Sequence, residues 1–247
     1  MKTGTFIFFL LIWLGELSLC GQNYDWWNRK HDWDGCTSWS EYLIVSPSFM
    51  GPNALPVPEV HTGIPPGRFL LEAGVDGHYS KGDRTGNMYA GFHAPLFTSR
   101  AGLELRYVPV ELYRTDTLTR DLRRSREYDA RGTSFGDLYA GTFIHLVKEN
   151  GRIPDIMLSL NLKTASGTRF QAARHTDAPG YYLDLSAGKS IRLEGGLFNL
   201  TRVYGMIGFY AFQTNLEKYM QNDAVLFGAG IELTGERWQL DHQLGGY

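Results

Sequence analysis

Nine polar side chains stand in the middle of stretches that otherwise alternate with apolar residues: Glu72, Asp76, His78, Glu104, Arg106, His145, Asn161, Lys163 and Asp184. Carboxylates, a guanidinium, an ammonium and imidazoles in such places can do one of two things. They can line a wall that selects or binds a polar solute, or they can pair with one another and fill a narrow interior. Their spacing offers no reaction. No serine stands in a nucleophile motif with His93 or His145, no carboxylates are paired, and no cluster has metal-ligand spacing. The Asp residues of KGDRTGN, HTDAPG and QNDA lack EF-hand spacing and fall where turn chemistry favours Asp and Asn. The sequence therefore predicts no catalytic residue, no metal and no cofactor. A hydrolase dyad around His93 or His145, assembled only by folding, is the enzymatic alternative.

The elements that must position these groups are strands. In PDIMLSLNLKTASG, Ile156, Leu158, Leu160 and Leu162 share one side, with Met157, Ser159, Asn161 and Lys163 on the other. PGYYLDLSAGK repeats the pattern, with Tyr181, Leu183, Leu185 and Ala187 against Tyr182, Asp184, Ser186 and Gly188. A soluble sandwich also alternates, but here the pattern recurs along the chain behind a secretory leader. The expected fold is all-β: an antiparallel transmembrane β-barrel with apolar rows facing lipid and polar rows facing the lumen. Charge facing lipid in mid-strand is expensive, which assigns the polar set to the lumen.

About nine strands are visible by this period: 67–79, 86–94, 101–113, 137–147, the two of the 154–188 hairpin, 202–214, 224–233 and 237–247. Pro109 interrupts the phase of the third and suggests a bulge or strand end there. If the first strand rises from the periplasm, the outer connections are those around SKGDRTG, RTDTLTRDLRRSREYDARGTSFG, TASGTRFQAARHTDAPG and TNLEKYMQND. The inner ones are PLFTSR, KENGRIP, GKSIRLEGGLFNL and TGE. The outer set is the longer, as bacterial barrels require. Arg120, Arg123, Arg124, Arg126 and Arg131 in the longest loop suit lipopolysaccharide phosphates, or, being interrupted by Asp121, Glu127 and Asp129, a solvated mixed-charge loop.

Composition sets the bounds. With 24 basic and 26 acidic side chains in 247 residues the chain is near neutral, which argues against nucleic acid as a partner. The 14% aromatic content and 29 glycines suit strands, tight turns and aromatic belts. Residues 1–21 read as a signal peptide: Lys2, an apolar run from Phe6 to Leu14, then small or turn-forming residues, too short to span a bilayer. Cleavage falls between Cys20 and Gln22. Leu17-Ser18-Leu19-Cys20 resembles a lipoprotein signal, with Leu19 where Gly or Ala is normally needed. If Cys20 leaves or is acylated, Cys36 has no intramolecular partner.

Residues 22–66 carry Trp26, Trp27, Trp33 and Trp39 followed by Pro47, Pro52, Pro56 and Pro58, and cannot pair as a central strand. They form either a plug in the barrel mouth or a linker with an aromatic anchor. The barrel is expected over 67–247, truncated at the C-terminus. An odd strand count strands Tyr247 at the outer rim, Gly245-Gly246-Tyr247 looks like the approach to a loop, and a complete barrel would have about ten to twelve strands. An overlooked strand between Gly188 and Arg202 would instead make the count even.

GPNALPVPEV, KGDRTGN, YVPVELY, FGDLYAGTFIHL, LKTASG, ARHTDAPGYYLDLSAGK, GFYAFQTN and QNDAVLFGAG resemble a group of uncharacterised Gram-negative outer-membrane barrel proteins, over nearly everything after Ser46. FGDLYAG followed by PDIMLSLNLKTASG and SAGK is more distantly similar to the phenol meta-cleavage-pathway outer-membrane family, related in architecture to long-chain fatty-acid transporters. The resemblance implies an outer-membrane location, contact with lipid and lipopolysaccharide, and passage of small, hydrophobic cargo. It carries no catalytic residues. A structural or surface-binding barrel with a closed lumen is the second expectation, and an outer-membrane acyl hydrolase the third.

Overall fold

The computed structural model describes residues 23–194, 196–212 and 222–247. The expected leader with Cys20, and most of the TNLEKYMQND connection, lie outside the described residues. The chain divides into two compact units, Met1–Cys36 and Thr37–Tyr247. In the first, a single helical turn and a half, α1 (Asp25–Lys30), has Asp25 in its first turn and Arg29 and Lys30 in its last, the polarity the helix dipole favours. The rings of Trp27 and His31 lie 5.2 Å apart.

The second unit is one antiparallel sheet. Its strands are β1 (Leu70–Ser80), β2 (Asp83–Leu96), β3 (Thr98–Thr115), β4 (Arg131–Ser134), β5 (Tyr139–Val147), β6 (Asp155–Lys163), β7 (Gly180–Arg192), β8 (Leu200–Phe212), β9 (Asp223–Thr234) and β10 (Gln239–Gly246). They pair in the order β1-β2-β3-β5-β6-β7-β8-β9-β10, and β4 lies off this path against β3. Among the described residues β1 pairs with β2 alone and β10 with β9 alone, and the sheet curls into a half-barrel. The nine strands of the main path match the nine read from the alternation. The short β4, inside the longest connection, is additional.

One local expectation needs correction. SKGDRTG is no long loop: Ser80 pairs with Asp83, leaving a two-residue turn, Lys81–Gly82, in which Gly82 takes φ +82°. Among the described residues no further strand lies between Gly188 and Arg202; β7 runs on to Arg192 and β8 begins at Leu200, which shortens that awkward connection. Gly245 and Gly246 pair in β10 with Gly228 and Phe227, within the strand expected over 237–247. Pro109 acts as expected. Met88 pairs with Val110 and Ala90 with Tyr107, so Val108 and Pro109 oppose a single residue of β2 in a bulge.

The two faces differ as the alternation requires. Tyr181, Leu183 and Leu185 of β7, Val203 and Ile207 of β8, and Val225 and Phe227 of β9 are all exposed on the convex face. Tyr182, Asp184 and Ser186, and Asn161 and Lys163 on β6, are buried on the concave face. What buries them is the segment 37–66 together with the 164–179 connection, whose Thr176 and Ala178 cover Lys163. The segment's prolines keep it out of the ladder, and Leu43, Val45, Met50, Ala54 and Leu55 form a core with Tyr182, Tyr210, Phe212 and Leu226 of the wall. Tyr247 joins that core. Its ring lies 5.2 Å from that of Tyr210, and its hydroxyl donates to Leu55 O at 2.7 Å.

The segment crosses β7 where backbone meets backbone. A Cβ on Gly63, at φ +86°, would stand 2.8 Å from Gly188 N, and one on Gly188 would strike Thr62 O. Nothing lies within 4 Å of a Cβ on Gly67. Gly188→Val is therefore expected to cost about 1–3 kcal/mol by forcing the crossing apart, and Gly67→Val to cost nothing measurable. Denaturant titration of the detergent-solubilised protein, followed by tryptophan fluorescence, checks both. Equal midpoints for the two variants would refute the tight crossing.

Candidate functional site

The concave face carries three polar clusters, each completed by groups from outside the strands. The first lies at the end with long connections. α2 (Thr117–Leu122) is capped by Asp116, whose carboxylate accepts from Thr119 N at 2.7 Å and is held below the usual carboxylate range by that bond. The helix sets Arg123 so that Nη1 donates to Asp83 Oδ2 at 2.6 Å. Arg174, from the 164–179 connection, is fully buried. It donates from Nε to Glu111 Oε1 at 2.7 Å, from Nη1 to Asp83 Oδ2 at 3.0 Å and from Nη2 to Thr85 Oγ1 at 2.7 Å. Its guanidinium lies 4.7 Å from the Tyr113 ring centre. Glu111 also accepts from Ser134 of β4 at 2.8 Å and from Asn53 at 2.5 Å. Next to it His175 is buried with both ring nitrogens unbonded, and burial lowers its pKa.

The second cluster closes the opposite end. Asp155 Oδ1 meets His145 Nε2 at 2.9 Å and accepts from Glu149 N at 2.8 Å, while Oδ2 accepts from Arg202 Nη2 at 3.0 Å. Arg202 Nε donates to Thr62 O at 3.0 Å, which fastens the inner segment to β8. Glu149, in the β5–β6 turn, is held below the usual glutamate range chiefly by Lys189, 2.9 Å away. Its folded pKa lies below the unfolded one, so its contribution is present above the ordinary glutamate range and is lost as pH falls through the depressed value.

Between them lies a cavity of about 420 Å³. Asn53, Pro56, Val57, Pro58 and Glu59 close it from the inner segment; Glu72 and Asp76 on β1, Tyr89 on β2, Arg106 and Tyr107 on β3, Tyr139 on β5, Tyr182 on β7 and Tyr210 on β8 line its wall. Arg106 sits between Glu104, 2.5 Å from Nε, and Glu59, 3.3 Å from Nη1, and donates from Nη2 to the Tyr182 hydroxyl. The Glu104 contact lacks hydrogen-bond alignment, so both oxygens of that buried carboxylate rely on charge alone.

The structure thus gathers Glu72, Asp76, Glu104 and Arg106 in or beside one cavity. Lys163 is nearby in an ion pair with Asp137 at 2.8 Å, and also donates to Thr176 Oγ1 at 2.9 Å. Asp184 pairs with His61 at 2.9 Å, Asn161 donates to Ser159 Oγ at 2.9 Å, and His145 belongs to the far cluster. His78 joins nothing; it is exposed, because β1 is an edge strand whose end the inner segment does not cover. Arg120 and Arg123 are buried, so the longest connection is not a uniformly solvated loop.

Sequence reasoning missed Asp83, Glu111, Asp137, Arg174 and His61. One had a signal. If the phase of Glu104 and Arg106 ran on unbroken, Glu111 would fall in the outward apolar row, and a charge there marks a shift of face; the bulge at Val108–Pro109 supplies it. For catalysis the site offers His61–Asp184 and His145–Asp155 without a nucleophile. Among the described residues no serine, threonine or cysteine is hydrogen-bonded to either imidazole. No group of three metal-ligating side chains occurs among them either. No protein-family model and no functionally described protein matches the chain.

Removing Arg174 leaves Glu111 buried with its charge uncompensated. Arg174→Leu is expected to lose about 3–5 kcal/mol, and Arg174→Lys to recover only part of it, since a point charge cannot reach three acceptors in one plane. Denaturant midpoints, with proteolysis at residues 164–179 as a second readout, test this. An unchanged Arg174→Leu variant would contradict it.

Proposed function

We propose that the chain forms the wall of a Gram-negative outer-membrane β-barrel that passes small molecules, with residues 37–66 as an internal plug. The observation that carries this reading is the inversion of the two faces. The convex face is a continuous set of uncovered apolar rows, and the concave face holds the buried ion pairs. In water that arrangement exposes far more contiguous apolar surface than a soluble protein tolerates; in lipid it is the low-energy one. Strand length agrees. Eight of the nine main strands have nine residues or more, enough to cross a bilayer when tilted. The β2–β3, β5–β6, β7–β8 and β9–β10 connections, all at one end of the sheet, each carry an exposed apolar side chain, Phe97, Ile153, Leu197 and Trp238, as an interfacial girdle would.

The small-molecule part rests on the cavity, which opens beside the plug rather than being filled by it. The closed-lumen alternative has its own support, the apolar core between plug and wall. The anchors of the plug support the first reading. Asn53, Glu59, His61 and Thr62 hold the plug by polar contacts that a modest change of state can exchange. In the acyl-hydrolase reading the two His–Asp pairs lack a nucleophile.

Two measurements test the proposal. The folded chain should reconstitute into liposomes and migrate faster unheated than heated on a denaturing gel; recovery as a water-soluble protein would overturn the barrel. Asn53→Ala with His61→Ala, which loosens the plug, should raise solute permeation of the proteoliposomes several-fold. Unchanged permeation would favour the closed structural barrel.

A further inference from the structure

Five tyrosines on five different strands, Tyr89, Tyr107, Tyr139, Tyr182 and Tyr210, converge on the mid-wall cavity, and its charge is not balanced. Arg106 is the cation lining it, and that guanidinium is already shared by Glu104 and Glu59 and lies 5.8 Å from the Tyr139 ring centre. Lys163 neutralises Asp137. Glu72 and Asp76 remain. Among the described residues neither has a Lys or Arg partner; His93 Nε2 stands 3.9 Å from Glu72, and Asp76 accepts only from Asn87 at 3.4 Å. At the opposite wall the Tyr210 side chain, 1% exposed, ends in a hydroxyl with no hydrogen-bond partner. The Tyr139 hydroxyl beside it is likewise buried; the two hydroxyls interact with each other but without good hydrogen-bond alignment.

A buried hydroxyl without a partner is costly unless something polar reaches it. Glu72 and Asp76, both exposed and set on either side of the Tyr89 ring that lies over Gly74, attract a cation, which the ring faces also favour. We infer that the cavity binds a small organic cation: a protonated amine on a flat apolar body that ends in a hydroxyl. The ammonium meets Glu72 and Asp76, the body lies among the tyrosine rings and Val57, and the hydroxyl completes the Tyr139–Tyr210 pair. The volume suits one such molecule. Anions are disfavoured by the same carboxylates, and neutral analogues forgo the charge. The inference relies on the transport reading only for how the ligand arrives.

The test uses three phenols of one shape and different charge: tyramine, 4-ethylphenol and 4-hydroxyphenylacetate. Each is titrated calorimetrically into the full chain in a zwitterionic detergent. Tyramine is expected to bind about tenfold more tightly than 4-ethylphenol, and 4-hydroxyphenylacetate not to bind measurably. The E72Q/D76N double variant should bring tyramine to within about threefold of 4-ethylphenol. Equal binding of the neutral or anionic probe, absence of tyramine binding by folded protein, or a preference that survives E72Q/D76N overturns the inference. Should that variant not fold, the order of the three probes on the unaltered protein, and loss of the tyramine advantage as salt is raised, decide it. An inserted barrel without the cation preference defeats this inference alone; a cation preference in a chain that does not insert defeats only the membrane reading.

Discussion

Buried charge on the concave face is the constraint from which the rest of the structure follows. Asp83, Glu104, Glu111, Asp155, Lys163 and Asp184 are all buried; strand residues reach Glu104 (Arg106) and Asp155 (His145 and Arg202), and the others find their charged partners outside the strands. Breaking one such pair is costly. Compensation comes largely from segments that are not strands or from strand ends: Arg174 and Arg123 from the long connections, His61 from the inner segment, Arg202 near the start of β8. Each neutralisation from outside the strands pins a piece of irregular chain to the wall. The connections are therefore folded inward, and the 37–66 segment has a defined path although its prolines forbid a ladder.

The inner segment is held by two kinds of force with different consequences. Leu43, Met50 and Ala54 are fully or almost fully buried and bind it through apolar area, which is lost gradually as the parts separate. Asn53, Glu59, His61 and Thr62 bind through single polar contacts, which are lost at once and can be taken over by water or a ligand. The mid-wall cavity lies along the second kind. Glu59 both lines it and shares Arg106, so whatever occupies the cavity competes directly with an anchor of the segment. Binding and displacement of the segment are physically linked at that residue.

The wall was legible in the sequence because a period of two is a strong signal when one face is apolar and the other charged. Leu158, Leu160 and Leu162 against Ser159, Asn161 and Lys163 fixed both strand and face. The site was legible only in part. Glu104, Arg106 and Asp184 could be assigned from their own strands, but their partners come from far along the chain: His61 meets Asp184 from 123 residues away, Arg174 meets Asp83 from 91. No local period reports such pairs. β4 was missed because four residues pairing with one half of β3 carry almost no pattern. Gly245 lies in β10, within the strand that the alternation outlines. Its role appears only when Val60 is seen packed where its Cβ would be.

The central claim is that the alternating rows face lipid on one side and a polar interior on the other. The most direct measurement is a nitroxide scan along β7, in a Cys20→Ser/Cys36→Ser background that removes both native thiols. Single cysteines at Tyr181 through Ala187 are labelled in liposomes, and collisions with oxygen and with a water-soluble nickel complex are compared. The account predicts a period of two, with labels at Tyr181, Leu183, Leu185 and Ala187 accessible to oxygen and shielded from nickel, and those at Tyr182, Asp184 and Ser186 shielded from oxygen. Nickel-accessible labels at Leu183 and Leu185 would contradict it, because the uncovered apolar face would then be meeting water.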